Sequence, residues 1–214
     1  KVTLDVQYTE KVNQARIFAA SEDSDLGGLS LAIYINGSGK WASAMQNGKG
    51  DWVDSGVTTD TARHTFVLDG PDSGKFFIDG ALKTTRTNTR TKETIRSLGI
   101  FCDNRKAGQG NFAKARLYAL TIEEAGEGVR DFYPVRKDGT GYLYDAVSGE
   151  LYGNAAAKGA FLTGADVATT APLKTSALGA SAIYCWTDPS APSATAEVSG
   201  LASGCEATFT GTAK

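Results

Sequence analysis

The sequence predicts an all-β chain in which two antiparallel sheets pack as a sandwich. Three observations carry that prediction. Short apolar runs alternate with polar residues at a period of two, the pattern of strands with one buried face. Glycine supplies 25 of 214 residues, well above the usual ~7% and suited to many turns. Third, Arg63 to Leu82, RHTFVLDGPDSGKFFIDGAL, reads as a β-hairpin. Phe66 and Leu68 alternate with Val67 and Asp69 in one arm, and Phe76, Phe77 and Ile78 form the other. Between them DGPDSG supplies reversal chemistry, and Asp79-Gly80 turns the chain again.

The other elements follow in order. Lys1 to Tyr8 alternates Val2, Leu4, Val6 and Tyr8 against Lys1, Thr3, Asp5 and Gln7, a strand with one buried face. Ala15 to Ala20 is a second short strand, followed by the polar turn SEDSDLGG. Leu29 to Ile35 is a third strand, and Asn36-Gly37 turns it into Trp41 to Met45. After a loop, Asp51 to Val57 carries Trp52. Beyond the central hairpin, KTTRTNTRTKET reads as a solvated edge strand running into a loop, its cations guarding the edge. A basic patch for an anionic glycan is the other reading of that run. Ile95 to Cys102 is expected as a core strand, Asp103 to Gly110 as a loop, Phe112 to Ile122 as a long strand apolar on both faces. The turn EEAGEG leads into Val129 to Val135, with Pro134 near the strand end, where a missing N–H is tolerated.

Past Ala165 the composition turns Ala- and Thr-rich, as in a linker. Short strands are expected at Ala180 to Trp186, Ala194 to Val198 and Cys205 to Thr210. Three strands are too few for an independent domain. The expected organisation is therefore one sandwich over residues 1–165 and, over 166–214, a linker with a small β appendage or the start of a second domain.

Charge and composition exclude several classes. A net charge of −2 offers nothing to a nucleic acid or an acidic membrane. Apolar runs of a few residues fall far short of the ~18 that cross a bilayer. The chain opens on a strand-like run at Lys1, as a mature or trimmed fragment would. Of three cysteines, Cys102 reads as a small core residue. Cys185 and Cys205 are candidates for a disulfide in an oxidising compartment, with two separate buried thiols as the alternative. No close cysteine pair and a single histidine leave little for zinc.

Two segments resemble one family. In the hairpin they are His64, Leu68, Asp69, Gly70, Ile78, Asp79 and Gly80. Further on they are Val129, Arg130, Asp131, Phe132, Pro134 and Arg136, then Gly141, Leu143, Tyr144, Asp145, Ser148, Gly149, Tyr152, Asn154, Gly159 and Phe161. Together these resemble concanavalin A-like, laminin-G-like jelly rolls of large bacterial secreted and surface proteins. The resemblance spans roughly residues 1–165 and implies a jelly-roll sandwich, a secreted or cell-surface location, and a structural role for His64. Asp145 with Ser148-Gly149 reads as a turn closed by side-chain-to-backbone hydrogen bonds.

Catalysis finds little support. Glycosidases use two carboxylates about 5–9 Å apart, and concanavalin-like ones carry them as Glu-x-Asp-x-Glu on one strand, a motif this chain lacks. Phosphate-binding, dinucleotide and nucleophile-elbow motifs are likewise missing. The resemblance implies rim loops that bind glycan or a surface protein, sometimes with Ca²⁺. Sugar sites set an aromatic platform beside hydrogen-bonding groups. Trp52, Asp51, Trp41, Asp103 and Asn104 are the ligand-binding candidates, and Asp23, Asp25 and Asp103 the candidate Ca²⁺ ligands. The expected function is a non-catalytic recognition or adhesion module. The alternatives are a spacer or assembly subunit that self-associates through its C-terminal strands, and an unrecognised glycoside hydrolase.

Overall fold

The computed structural model describes residues 1–21, 29–45, 52–70, 73–86, 98–105, 108–154 and 161–165. These hold fifteen strands and no helix. The chain divides into two compact units, Lys1–Gly126 and Glu127–Lys214. The boundary expected after residue 165 falls where the described residues end.

In the first unit, β1 (Val2–Glu10), β2 (Arg16–Ser21), β3 (Leu29–Ile35), β4 (Lys40–Met45) and β5 (Trp52–Thr58) come first. Next are β6 (Arg63–Asp69), β7 (Lys75–Ile78), β8 (Ala81–Thr85) and β9 (Gly99–Ile100). Then come β10 (Asp103–Arg105), β11 (Gly108–Gly110) and β12 (Lys114–Glu124). One antiparallel sheet runs β12-β1-β6-β7-β8, the other β5-β4-β3-β2-β9. The chain thus crosses between sheets after β1, β5 and β8, and returns before β12. The unit is an antiparallel β-sandwich.

The alternation read in β1 is what packs it. Val2, Leu4, Val6 and Tyr8 are buried, while Thr3, Asp5 and Gln7 are partly exposed. On the outer face the Arg63 guanidinium donates to both Asp5 oxygens at 2.7 and 2.6 Å and lies 3.9 Å over the Tyr118 ring. Between the sheets, Trp41 of β4 meets Tyr8 of β1 at 5.2 Å and Phe66 of β6 at 4.8 Å, ring centre to ring centre. Phe76 stacks on Phe66 at 6.2 Å, nearly parallel. This aromatic file is the centre of the core. The Trp41 indole N–H, although buried, has no hydrogen-bond acceptor among the described residues.

The turns follow their residues. Asp79 and Gly80 take φ of 50° and 74°, the left-handed pair that a two-residue hairpin between β7 and β8 requires. Gly74 is more constrained: its φ is 61°, and a Cβ there would sit 2.5 Å from the Arg86 carbonyl oxygen, while Arg86 N–H donates to the Gly74 carbonyl at 2.9 Å. Gly74→Ala should therefore cost of order 1–3 kcal/mol in denaturant unfolding. Gly128→Ala, where a Cβ meets open space, should stay within about 0.5 kcal/mol.

Three expectations are corrected around β9 and β10. The expected strand from Ile95 to Cys102 is described only from Leu98, and there it pairs for two residues. It stops at Phe101, whose φ of 63° bends the chain out of the sheet. The expected loop from Asp103 to Gly110 instead forms the hairpin β10–β11. Asp103 anchors it from inside. Cys102 is half-buried beside Gly99 rather than enclosed in the core. By contrast, β8 ends its sheet among the described residues, as the edge-strand reading expects, but Lys83 and Thr84 are half-buried and Arg86 donates to the Ser43 carbonyl at 3.2 Å, so these side chains do not form a wholly solvated edge.

In the second unit, β13 (Glu127–Lys137), β14 (Thr140–Asp145) and β15 (Glu150–Tyr152) pair in the order β15-β14-β13. Asp138-Gly139 closes the first hairpin with φ of 51° and 77°. Asp145 organises the second. Its carboxylate is 0% exposed and accepts from Asp131 N–H at 2.9 Å, Val147 N–H at 3.1 Å and the Ser148 hydroxyl at 3.0 Å, with Arg130 Nε 3.7 Å away. Asp145→Ala removes a fully buried acceptor shared by three part-buried or exposed donors and should lower stability by about 1–3 kcal/mol. Ser148→Ala, which removes one partner near the surface, should cost much less, and thermal melts of the two variants check the difference. Gly141 is packed tightly: a Cβ would lie 2.9 Å from Thr163 Cγ2 and 3.1 Å from the Phe161 carbonyl oxygen.

Candidate functional site

Strand register decides which side chains share a face. Ala19 lies opposite Ala32, Ala32 opposite Ala44, and Tyr34 opposite Ala42. Trp41, which meets the other sheet, has the opposite parity in β4. The four alanines and Tyr34 therefore face away from that sheet, and they form one buried cluster. Trp52 lies opposite Ala44, and Asp54 opposite Ala42, so both belong to this second face. Tyr34 is buried among the alanines, and Trp52 is the exposed aromatic group on this face.

Trp52 is 44% exposed. Tyr34 meets it nearly edge-on, with ring centres 5.1 Å apart and planes at 76°. Arg16 packs beneath. Its guanidinium carbon lies 4.6 Å over the Tyr34 ring and 5.6 Å from Trp52. Arg16 is only 2% exposed, donates to the Gln14 carbonyl at 2.5 Å, and has Nε 4.0 Å from Asp103 Oδ2. Burial pushes the Tyr34 phenol up to about 12 against the opposing pull of Arg16, so it stays neutral.

Gln14, Tyr34, Asn36 and Trp52 line a shallow depression of about 280 Å³. The turn after β3 positions Asn36. Its Oδ1 accepts from the N–H groups of Ser38 and Lys40 at 2.9 and 3.0 Å, which leaves Nδ2 to donate to Asp54 Oδ2 at 3.3 Å. Gly37 lies beside Gln14, whose Nε2 would be 3.3 Å from any Cβ there. Asp54 is set by a break in the β4–β5 register, where Gly56 takes φ of 77° and donates its N–H to Asp54 Oδ1 at 2.7 Å. That hydrogen bond, with Lys40 at 3.4 Å, holds the Asp54 carboxyl below its ordinary pKa. Bulges of this kind re-aim side chains at sheet edges.

Of the residues singled out in the sequence, the structure brings Trp52 to this depression. Trp41 is corrected: at 1% exposure it offers no ring face to a ligand. Asp103 is corrected too. It is fully buried, accepts from Asn111 Nδ2 at 2.7 Å and faces Arg16, so it is no rim ligand. Asn104 pairs through its backbone with Gln109 in β10–β11. Asp51, Asp23, Asp25, Cys185 and Cys205 lie outside the described residues. Among the described residues no group of three His, Cys, Asp or Glu could hold a metal ion.

Sequence reasoning missed Gln14, Tyr34, Asn36 and Asp54. Asn36-Gly37 was legible only as a turn, and Tyr34 only as a strand residue. Their proximity to Trp52 depends on the pairing of β3, β4 and β5. Chemically the site presents an aromatic face, two amides and a carboxylate balanced by Lys40. No family model, curated protein or solved structure matches the chain.

Proposed function

We propose that this chain is a concanavalin A-like, laminin-G-like jelly-roll recognition module of a secreted or surface bacterial protein, and that it binds glycan over Trp52. The observation that carries the glycan reading is the half-exposed indole, packed edge-on against Tyr34, beside the amides of Gln14 and Asn36. Aromatic faces take the C–H surface of a pyranose, and flanking amides and carboxylates take its hydroxyls. The charges at the rim, Asp54 and Lys40, are paired with each other. That favours a neutral glycan over an anionic one. An open, shallow depression suits units within a chain rather than a buried terminal sugar. The family reading rests on the two motif segments, whose Asp79-Gly80 and Asp145 positions hold turns in the way such a framework needs.

Thermal melting against a panel of neutral and acidic polysaccharides tests the function. A ligand of the folded state raises stability by about 2.7 kcal/mol at a hundredfold excess over Kd. A rise with neutral glycans is expected. No rise with any glycan would overturn the reading.

A further inference from the structure

His64, near the start of β6, stands between two carboxylates. Its Nδ1 is 2.7 Å from Asp79 Oδ2, and its Nε2 is 2.8 Å from Asp60 Oδ1. Both ring nitrogens can donate at once only as the imidazolium. The carboxylates are anchored in turn. Asp79 Oδ1 accepts from Thr65 N–H at 2.8 Å, and Asp60 Oδ1 from Ala62 N–H at 2.8 Å. The ring packs against Trp41 and Phe66, each 5.9 Å away, and Val6 of β1 pairs opposite. The other charges nearby are Lys11, which acts on Asp60, and the Arg63–Asp5 pair on β6 and β1. Burial pushes the imidazole down, but the hydrogen bonds to Asp79 and Asp60 outweigh it and raise its pKa above the ordinary value.

The clamp reaches the candidate site through one residue. Asp60 follows Thr59, which is buried and donates twice to the Gly39 carbonyl, from N–H at 3.0 Å and from Oγ1 at 2.9 Å. Gly39 belongs to the turn that Asn36 closes, the turn that aims Asn36 Nδ2 at Asp54. We propose that the Asp60–His64–Asp79 clamp positions the Asn36 turn through Thr59, so that the Trp52 site is firm when His64 is protonated and loosens when it is neutral. The site half of this inference rests on the glycan reading; the clamp half does not.

The direction in pH follows from the charges. The His64 contribution is complete below about 6.5, the imidazole's ordinary pKa, and is lost as pH rises through its higher folded value. At the acid end, Asp60 and Asp79 are held below the ordinary carboxyl value, so their contribution fades only as pH falls through those lowered values.

Amide hydrogen exchange reads the clamp without any ligand. Ser38 and Lys40 donate to Asn36 Oδ1, so their protection factors report the turn, while His64 ring shifts report its titration. Protection should fall several-fold with the midpoint of the His64 titration. Asp60→Asn removes one flanking charge, so both midpoints should move together to lower pH. In His64→Gln the protection should be flat with pH. If Ser38 and Lys40 stay equally protected while His64 titrates, or their midpoint does not follow it in Asp60→Asn, the proposal is wrong. If the turn responds but no glycan binds, it is the function reading that fails.

Discussion

Trp52→Ala is expected to reduce glycan binding at least tenfold, with a melting temperature within a few degrees of the parent. Tenfold corresponds to about 1.4 kcal/mol, within what an exposed aromatic platform supplies through buried area and ring contact. The stability change should be small because the indole is 44% exposed and sits on β5, the terminal strand of its sheet. Trp52→Phe keeps a ring and should retain most of the affinity. Asn36→Ala should weaken binding for a different reason. It removes both an amide donor and the acceptor that closes the turn. Calorimetric titration with a neutral polysaccharide that stabilises the parent measures all three. Unchanged affinity in a well-folded Trp52→Ala variant would place the binding surface elsewhere.

The second large effect lies in the core. Trp41→Ala should cost about 3–5 kcal/mol, the range for truncating a buried aromatic residue. For a unit this size each kcal/mol lowers the melting temperature by roughly 2–8 °C, so a fall of about 6 °C or more is expected. Trp41 touches both Tyr8 and Phe66, and its removal leaves a void where the sheets meet. Trp41→Phe provides the contrast. It keeps most of the packing and removes an indole N–H that has no acceptor among the described residues. Losing a buried, unsatisfied donor offsets part of the lost volume, so Phe should cost less than half as much as Ala. Equal losses for the two would mean that the N–H contributes after all. Urea unfolding of both variants decides.

These two tryptophans show how far a sequence reading reaches. Both stand in short apolar runs near glycine-rich turns, and local composition does not distinguish them. One is the centre of the sandwich and the other stands at its rim. The difference is parity: Trp41 faces the other sheet, while Trp52 lies opposite Ala44 on the reverse face. Parity within a strand is legible, but which face looks inward depends on pairing with distant strands. Asp103 makes the same point for a charge. In sequence it looks like a solvated loop residue. In the structure it lies buried beside Arg16 and Asn111, because a charge tolerates the interior when a partner and hydrogen bonds come with it.

The sequence by itself determined the strand-rich class, most strand positions, the buried face of β1, and the Asp79-Gly80 and Asp145 turns. Each of these rests on side-chain alternation or on contacts between residues close along the chain. Only the tertiary structure decided the β10–β11 hairpin, the burial of Asp103 and Trp41, and the joining of Gln14, Tyr34 and Asn36 with Trp52. Those depend on register between strands that are far apart in sequence, and a one-residue change of register would send every side chain of a strand to the other face.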